Sequence, residues 1–214
     1  MKIIRNCFIL ILLITASAQA DQSQNILKNL RSLYSGIKDY KVTLTINVKG
    51  QNISINKMLM HIYFKRPDKI KVVALGGIGM LPAGLPLDDQ IADMLKNSIS
   101  IYMGSEKING IDCHKIRLIP NIKRHKTTDT ILWIDKKKNV IVRSSADKPT
   151  NMITNWTYTT IDGKFYMPKQ INVETTNKFA RDNDKPQKVT MKAMFTSYKI
   201  NKGIKDSIFV EKKK

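Results

Sequence analysis

Alternating hydrophobic and polar residues dominate the middle and the end of this chain. The clearest run covers residues 40–48, where Tyr40, Val42 and Leu44 begin an apolar series separated by lysine, threonine and asparagine. A period of two residues is typical of a β-strand with one buried face and one solvated face. The same alternation predicts a second strand over residues 57–64. We predict eight further strands over residues 70–74, 98–104, 111–119, 128–135, 138–145, 151–161, 164–175 and 187–199.

Short turn sequences separate several of these strands. Asn109-Gly110, Lys137-Lys138-Asn139 and Asp162-Gly163 are hairpin signals, and Arg66-Pro67-Asp68-Lys69 has the composition of a turn. Ten strands in unbroken order, mostly joined by tight turns, indicate an antiparallel meander. Such a sheet must curl or close to protect its edges, so we expect a mainly β fold with a strongly curved sheet.

The residues before the first strand have a different period. Ile26, Leu27 and Leu30 begin an apolar series at helical spacing within residues 22–38, with polar residues between its members. This pattern predicts an amphipathic helix, and Gly36 is a suitable stop signal near its end.

Residues 75–97 interrupt the strand pattern. Four glycines and two prolines exclude regular structure from the first half, and Asp88 or Asp89 is placed to cap a short helix carrying Ile91, Met94 and Leu95. Surface loops are usually polar, so an apolar segment of this length is expected to cover something. Two interpretations stay open: a fixed plug that completes the core, or a mobile lid over an apolar cavity.

The first twenty residues resemble an export signal. Lys2 and Arg5 precede a short apolar run, and Ala18-Gln19-Ala20 has the small-residue pattern of a cleavage site. The run is too short to span a bilayer comfortably. We expect cleavage after Ala20 and an exported chain of 194 residues, with residues 21–214 forming a single domain.

The chain is strongly basic, with a formal net charge of +20 from 30 lysines, 7 arginines and 17 acidic residues. Lysine dominance, scattered positions and export argue against nucleic acid, because arginine is the preferred residue for forked phosphate recognition. The charge indicates either solvated strand faces or attraction to an anionic membrane surface.

Recognisable catalytic chemistry is missing from the sequence. There is no nucleophile elbow, phosphate loop, CxxC or HExxH motif, and the three histidines are far apart. We therefore predict no enzyme activity, no catalytic residue, no metal site and no cofactor. Cys113 is the one cysteine after the leader, and we interpret it as a buried hydrophobe, the alternative being pairing between molecules.

Several short motifs resemble the LolA/LolB superfamily of periplasmic lipoprotein carriers and related lipid-binding proteins. Residues 64–70, Phe-Lys-Arg-Pro-Asp-Lys-Ile, are similar to the KRPN/KRPD turn of the carriers. Residues 102–113 fit the hairpin pattern Y-x-G-x-E-x-x-x-G-x-x-C of wider lipoprotein-sorting relatives. Residues 131–135 and 162–169 resemble the LWID and DG-x-Y-x-P strands of the same group.

This resemblance implies an unclosed, strongly curved antiparallel half-barrel over helices, enclosing an apolar cavity for acyl chains in the periplasm. It implies that Arg66 holds a lid, since a guanidinium is able to fork onto several backbone carbonyls. The expected cavity walls are Leu44, Ile46, Met58, Met60, Ile62, Val72, Trp133 and Trp156, and the expected cover is Leu81, Leu85, Ile91, Met94 and Leu95.

The functional hypothesis is a monomeric carrier that shields the acyl chains of a lipoprotein or lipid during outer-membrane lipoprotein sorting. A transport partner at the inner or outer membrane would load it or accept its cargo. The first alternative is an envelope sensor or adaptor that uses the same fold to bind another protein. The second alternative is a basic surface that binds anionic membrane.

Overall fold

The computed structural model describes residues 22–51, 53–76, 94–121, 128–146, 151–177 and 187–210. Ten strands form one antiparallel sheet, which confirms the mainly β fold class that the alternation predicts. The strands are β1 (Asp39–Lys49), β2 (Ser54–Lys65), β3 (Lys69–Ala74), β4 (Ser98–Ile108), β5 (Ile111–Pro120), β6 (Thr130–Asp135), β7 (Ile141–Ala146), β8 (Met152–Ile161), β9 (Phe165–Asn177) and β10 (Gln187–Ile200).

Helical structure is sparse in the described ranges. It consists of α1 at residues 22–32, the helical residues 94–96 and a 3₁₀ turn, Asp206–Ile208. None of these helices has the length and hydropathy that a membrane crossing requires. The short helix predicted after residue 88 is seen in its last part, while residues 77–93 lie outside the described residues.

The sheet is unclosed, with the strand order β3-β2-β1-β10-β9-β8-β7-β6-β5-β4. It contains two meanders, β1–β3 and β4–β10, which the pairing of β1 with β10 joins. The prediction of one uninterrupted meander is therefore wrong at one point, because β3 and β4 are not neighbours in the sheet. β3 and β4 are the two edges of the sheet, so residues 75–97 connect one edge to the other.

Bulges accompany several register shifts in the sheet. Lys57, Gly104 and Ser197 all have positive φ values, 57°, 100° and 55°, beside shifts in the pairing of β2, β4 and β10. A bulge bends its strand and increases the local twist. These irregularities give the sheet the curvature of a half-barrel.

The hairpin signals in the sequence form the turns that they predict. Asn109 and Gly110 have φ values of 48° and 82°, and Asp162 and Gly163 have values of 52° and 64°. Paired positive φ values match the right-handed twist of the adjoining strands, which explains why asparagine, aspartate and glycine stand there.

Helix α1 packs on one face of the sheet, which we call the inner face. Ile26, Leu27 and Leu30 are buried in one cluster with Leu44 and Ile46 of β1. At the start of the helix, the Ser23 hydroxyl lies 2.9 Å from the Ser100 hydroxyl on edge strand β4. The helix therefore reaches from the β4 edge to the beginning of β1.

Helix α1 ends at residue 32, six residues before the predicted end. Residues 33–36 form turns, and their carbonyls and those just beyond accept hydrogen bonds from distant side chains. One of these side chains is Asn201, whose amide donates to the Gly36 carbonyl at 2.8 Å. The Asn201 Oδ1 accepts from the backbone N–H of Lys38 at 2.7 Å and of Asp39 at 3.3 Å.

The buried carboxylate of Asp39 completes this connection. It accepts hydrogen bonds from the backbone N–H groups of Lys202 and Gly203, at 3.1 and 3.2 Å. The start of β1 and the end of β10 are thus tied by side chains as well as by the strand pairing. These bonds fix the position of the connection between α1 and β1.

We expect the substitution Asn201→Ala to lower the free energy of unfolding by about 2–4 kcal/mol. It removes three side-chain hydrogen bonds and places alanine at a φ of 54°, where a Cβ is unfavourable. Asn201→Gly loses the same bonds without the backbone strain, so it should cost about 1 kcal/mol less. Urea unfolding followed by tryptophan fluorescence measures both values, and equal losses would contradict the backbone contribution.

Candidate functional site

The inner face of the sheet is mainly apolar, and Ser100 and Thr154 are buried polar residues on it. Leu44, Ile46, Met60 and Ile62 each have 0% exposure, and they share one cluster with the helix residues and with Trp156. Met58 and Val72 are half-buried and pack against this cluster. Seven of the eight residues expected to line a cavity therefore lie together on one face. That they contact a ligand remains a prediction.

The residues expected to cover the cavity fall into two groups. Leu95 is buried in the inner-face cluster, and the half-buried Met94 packs against it. Leu81, Leu85 and Ile91 lie outside the described residues.

Trp133 does not belong with the other predicted cavity residues. Its neighbours Leu132 and Ile134 are in the inner-face cluster, whereas Trp133 packs in a second cluster with Ile108, Cys113 and Val142. Adjacent residues of a strand point to opposite faces, so Trp133 lies on the outer face. The face on which Trp133 lies has no sequence signal, because residues 131–134 are all apolar and show no alternation.

The Trp133 indole is fully partnered on the outer face. Its Nε1 donates to the Glu106 carboxylate at 3.1 Å, and the Lys115 ammonium lies over the ring, 5.4 Å from its centroid. The Lys115 ammonium also pairs with Glu106 at 2.9 Å. The hydrogen bonds from Lys115 and Trp133 lower the pKa of Glu106. This arrangement is a structural contact network and leaves the indole no free donor.

Strand connections differ between the two ends of the sheet. At the turn end they are short turns, such as residues 66–68 and 162–164, whereas at the loop end they cover residues 50–53, 75–97, 121–129, 147–151 and 178–186. Several apolar side chains near the loop end are half-buried and pack against the core. We call four of them the rim band: Ile55, Met58, Met152 and Val189.

Arg66 forks onto two backbone carbonyls that follow helix α1. Its Nε donates to the Ile37 carbonyl at 2.6 Å, and Nη2 donates to the Tyr34 carbonyl at 2.8 Å. Both carbonyls lie between the end of α1 and the start of β1. Among the described residues, Arg66 therefore holds the end of the helix that covers the inner face, and its role toward residues 77–93 stays a prediction.

Replacing Arg66 tests the value of this fork. We expect Arg66→Ala to lower the free energy of unfolding by about 1–3 kcal/mol, because two carbonyls lose charged donors. Arg66→Lys keeps the charge but presents no planar fork, so it should restore less than half of that loss. Chemical denaturation measures both variants, and a lysine variant as stable as the wild type would contradict a role for the forked geometry.

Cys113 is fully buried in the outer-face cluster, which agrees with its interpretation as a small hydrophobe. Burial, and secondarily the carboxylate of Asp135, raise the pKa of its thiol. Thiolate is the reactive form, so both the low thiolate fraction and the lack of access reduce reactivity.

We expect iodoacetamide at pH 8 to label Cys113 roughly 100-fold or more slowly in the native protein than in the denatured protein. The native labelling rate should still be rising at pH 9, because the thiol pKa is raised. Peptide mapping by mass spectrometry reads the Cys113 peptide separately, with glutathione as the unprotected reference. Equal native and denatured rates would show that the outer-face cluster is open.

A polar cavity of about 540 Å³ lies mainly over the outward-facing side chains of β1, β9 and β10. Its lining residues are Asn47, Lys49, Asn56, Asn172, Val173, Glu174, Thr190, Met191 and Lys192. Most of these residues carry amide, hydroxyl or charged groups, whereas Val173 and Met191 belong to the inner-face cluster. The cavity therefore differs in residue composition from the inner face.

Solved structures with the same architecture include a domain described as an outer membrane lipoprotein-sorting protein from Vibrio parahaemolyticus, with a TM-score of 0.68 and 14% identity over 89% of this chain and 97% of that chain. A DUF1329 family protein from Desulfovibrio piger has a TM-score of 0.66 and 12% identity over 90% of this chain and 97% of that chain. A LolA superfamily protein from Nitrosomonas europaea has a TM-score of 0.62 and 12% identity over 88% of this chain and 97% of that chain. No family model and no curated protein matches the sequence.

These similarities identify the class of fold. The chain has the LolA-like half-barrel, an unclosed antiparallel sheet wrapped around an inner face, and the resemblance read from the sequence motifs is confirmed at this level. Nearly the full length of each of the three proteins is covered, so the likeness concerns the whole architecture. At 12–14% identity it shows the fold alone.

Proposed function

We propose that this protein binds the acyl chains of a lipoprotein or lipid on the inner face of its half-barrel. The observation that carries the proposal is the rim band, where half-buried apolar side chains continue into the fully buried inner-face cluster. A hydrocarbon chain entering at the loop end would meet a mainly apolar surface. Methionines at two rim positions suit this role, because their flexible side chains repack around varied ligands.

The free energy available from such burial is large enough for a carrier. Each methylene transferred from water contributes roughly 0.8 kcal/mol, so a long acyl chain supplies about a dozen kcal/mol before entropic costs. Part of this gain is spent on displacing the side chains that now cover the inner face. Competition between cover and cargo gives the carrier a route to release, because the empty protein recovers its own packing.

The cellular setting belongs to the same proposal. The leader over residues 1–20 would be cleaved after Ala20, and the remaining single domain would act as a monomer in the periplasm. A membrane transport partner would exchange cargo with it during outer-membrane lipoprotein sorting. Support comes from the export-signal pattern, and from a fold shared with a domain described as lipoprotein-sorting. The role is one of binding, without catalysis or cofactor.

Adjacent residues of β8 provide a matched test. Met152 lies in the rim band, whereas the next residue, Ile153, is 43% exposed and points to the outer face. We expect Met152→Asp to weaken binding of a fluorescent fatty-acid probe at least roughly tenfold, because a carboxylate in the entry path must be desolvated. Ile153→Asp should leave the affinity within about twofold of the wild type.

Native mass spectrometry of the protein purified from cells complements this titration and should reveal co-purified lipid. Absence of lipid in the spectra together with absence of a probe response would reject acyl-chain binding. Equal losses in both variants would place the binding surface elsewhere.

A second candidate function is that of an adaptor that binds another envelope protein. Ile99, Ile101 and Met103 are exposed at alternate positions of edge strand β4, on its outer face. Exposed apolar stripes of this kind mark interaction sites. Under this alternative, a stable complex is recovered from envelope extracts and lipid uptake is weak. Simple binding to anionic membrane would instead decline steeply between low and moderate salt, which burial of a hydrocarbon chain would not.

A further inference from the structure

The indole N–H of Trp156 is a buried donor without an acceptor. Trp156 is 7% exposed and belongs to the inner-face cluster, and its Nε1 is the one buried side-chain nitrogen or oxygen without a hydrogen-bond partner in the described part of the chain. Indole nitrogen only donates hydrogen bonds. The large majority of buried side-chain polar atoms have hydrogen-bond partners, so an unpartnered donor in an apolar surface calls for an explanation.

Packing holds the Trp156 ring in place. The ring stacks on Tyr158 with a centroid distance of 6.5 Å and an interplanar angle of 14°. Tyr158 in turn stacks on Tyr166 at 5.6 Å, and its hydroxyl donates to the Ile141 carbonyl at 2.9 Å. The indole therefore lies at the end of an anchored aromatic stack, which restricts the direction of its N–H.

Trp156 also begins a row of apolar side chains that crosses the inner face. Strand pairing places Trp156, Ile171, Ala193, Ile46 and Met58 side by side on β8, β9, β10, β1 and β2. We call them the central row. It ends at Met58, which is a member of the rim band. The donor is thus continuous with the surface proposed to take the hydrocarbon.

We propose that the Trp156 indole N–H donates a hydrogen bond to the carbonyl oxygen of an acyl ester or amide, while the attached hydrocarbon lies along the central row. This inference rests on the proposed function and adds to it the residue that recognises the carbonyl group of the acyl chain. The ligand replaces side chains that now cover the row, and its carbonyl meets the donor that the protein leaves unpaired. A plain hydrocarbon leaves it unpaired.

The test compares a fatty-acid methyl ester with an alkane of equal chain length, bound to the wild type, Trp156→Phe and Trp133→Phe. Phenylalanine removes the N–H and keeps an aromatic ring. Trp156→Phe should weaken ester binding roughly five- to tenfold, the worth of one neutral hydrogen bond, while alkane affinity changes less than about twofold. Trp133→Phe should change neither affinity, because that indole already donates to Glu106 on the outer face.

Each outcome of this comparison decides something different. Equal effects of Trp156→Phe on ester and alkane overturn the carbonyl contact and leave acyl-chain binding standing. Failure of both ligands to bind the wild type overturns the proposed function and the inference together.

A second measurement needs no variant of Trp156. The chain has two tryptophans, so a ¹⁵N-labelled sample gives two indole N–H resonances, which Trp133→Phe assigns. The ester should move the Trp156 indole proton downfield, and the alkane should not produce that downfield change. An unmoved Trp156 resonance at saturating ester overturns the inference even if Trp156→Phe fails to fold.

Discussion

The pairing of β1 with β10 is the interaction on which the rest of the structure depends. It joins strands that are about 150 residues apart in sequence, with partners running from Tyr40 and Ile200 to Lys49 and Thr190. Without it, a three-stranded and a seven-stranded meander would each expose an apolar face. Because the two strands are far apart in sequence, the chain entropy lost when they pair must be offset by contacts formed at the same time. The bonds of Asp39 and Asn201 at one end supply part of them.

Helix α1 is held onto this sheet mainly by burial, and its ends are positioned by polar groups. Ser23 contacts Ser100 at the β4 edge, and Arg66 and Asn201 bind carbonyls beyond the C-terminal end. Apolar packing alone is non-directional and would allow the helix to slide across the inner face. Hydrogen bonds at both ends define one position.

Much of this fold could be predicted from the sequence, because the responsible signals are local. Alternation and apolar runs predict the ten strands, and the Asn-Gly and Asp-Gly pairs predict two of their turns. The pairing of β1 with β10 could not be predicted, because alternation shows which face of a strand is buried but not which strand is its neighbour. The predicted end of α1 is six residues too late. The carbonyls beyond residue 32 accept hydrogen bonds from Arg66 and Asn201, which are distant in sequence and leave no local signal.

The candidate site could likewise be predicted only where the sequence carries a local signal. Leu44, Ile46, Met60 and Ile62 could be assigned to one face because polar residues separate apolar ones on their strands. The face of Trp133 could not be predicted, because four consecutive apolar residues show no alternation. Trp156 lies on the inner face, but its unpartnered nitrogen has no sequence signal. Hydrogen-bond satisfaction depends on which atoms meet in three dimensions, so it becomes visible only in coordinates.

The unequal connections at the two ends of the sheet separate two kinds of evolutionary change. Turn-end positions such as Asp162 and Gly163 have restricted backbone angles, so most replacements there are costly. The connections at the other end border the rim band, and surface connections tolerate insertions better than the strands that they join. Under the proposed function, insertions and exchanges of these loops would diversify the bound ligands while the sheet is kept. A lineage could retune its recognition by loop grafting, much as antibody variable domains do.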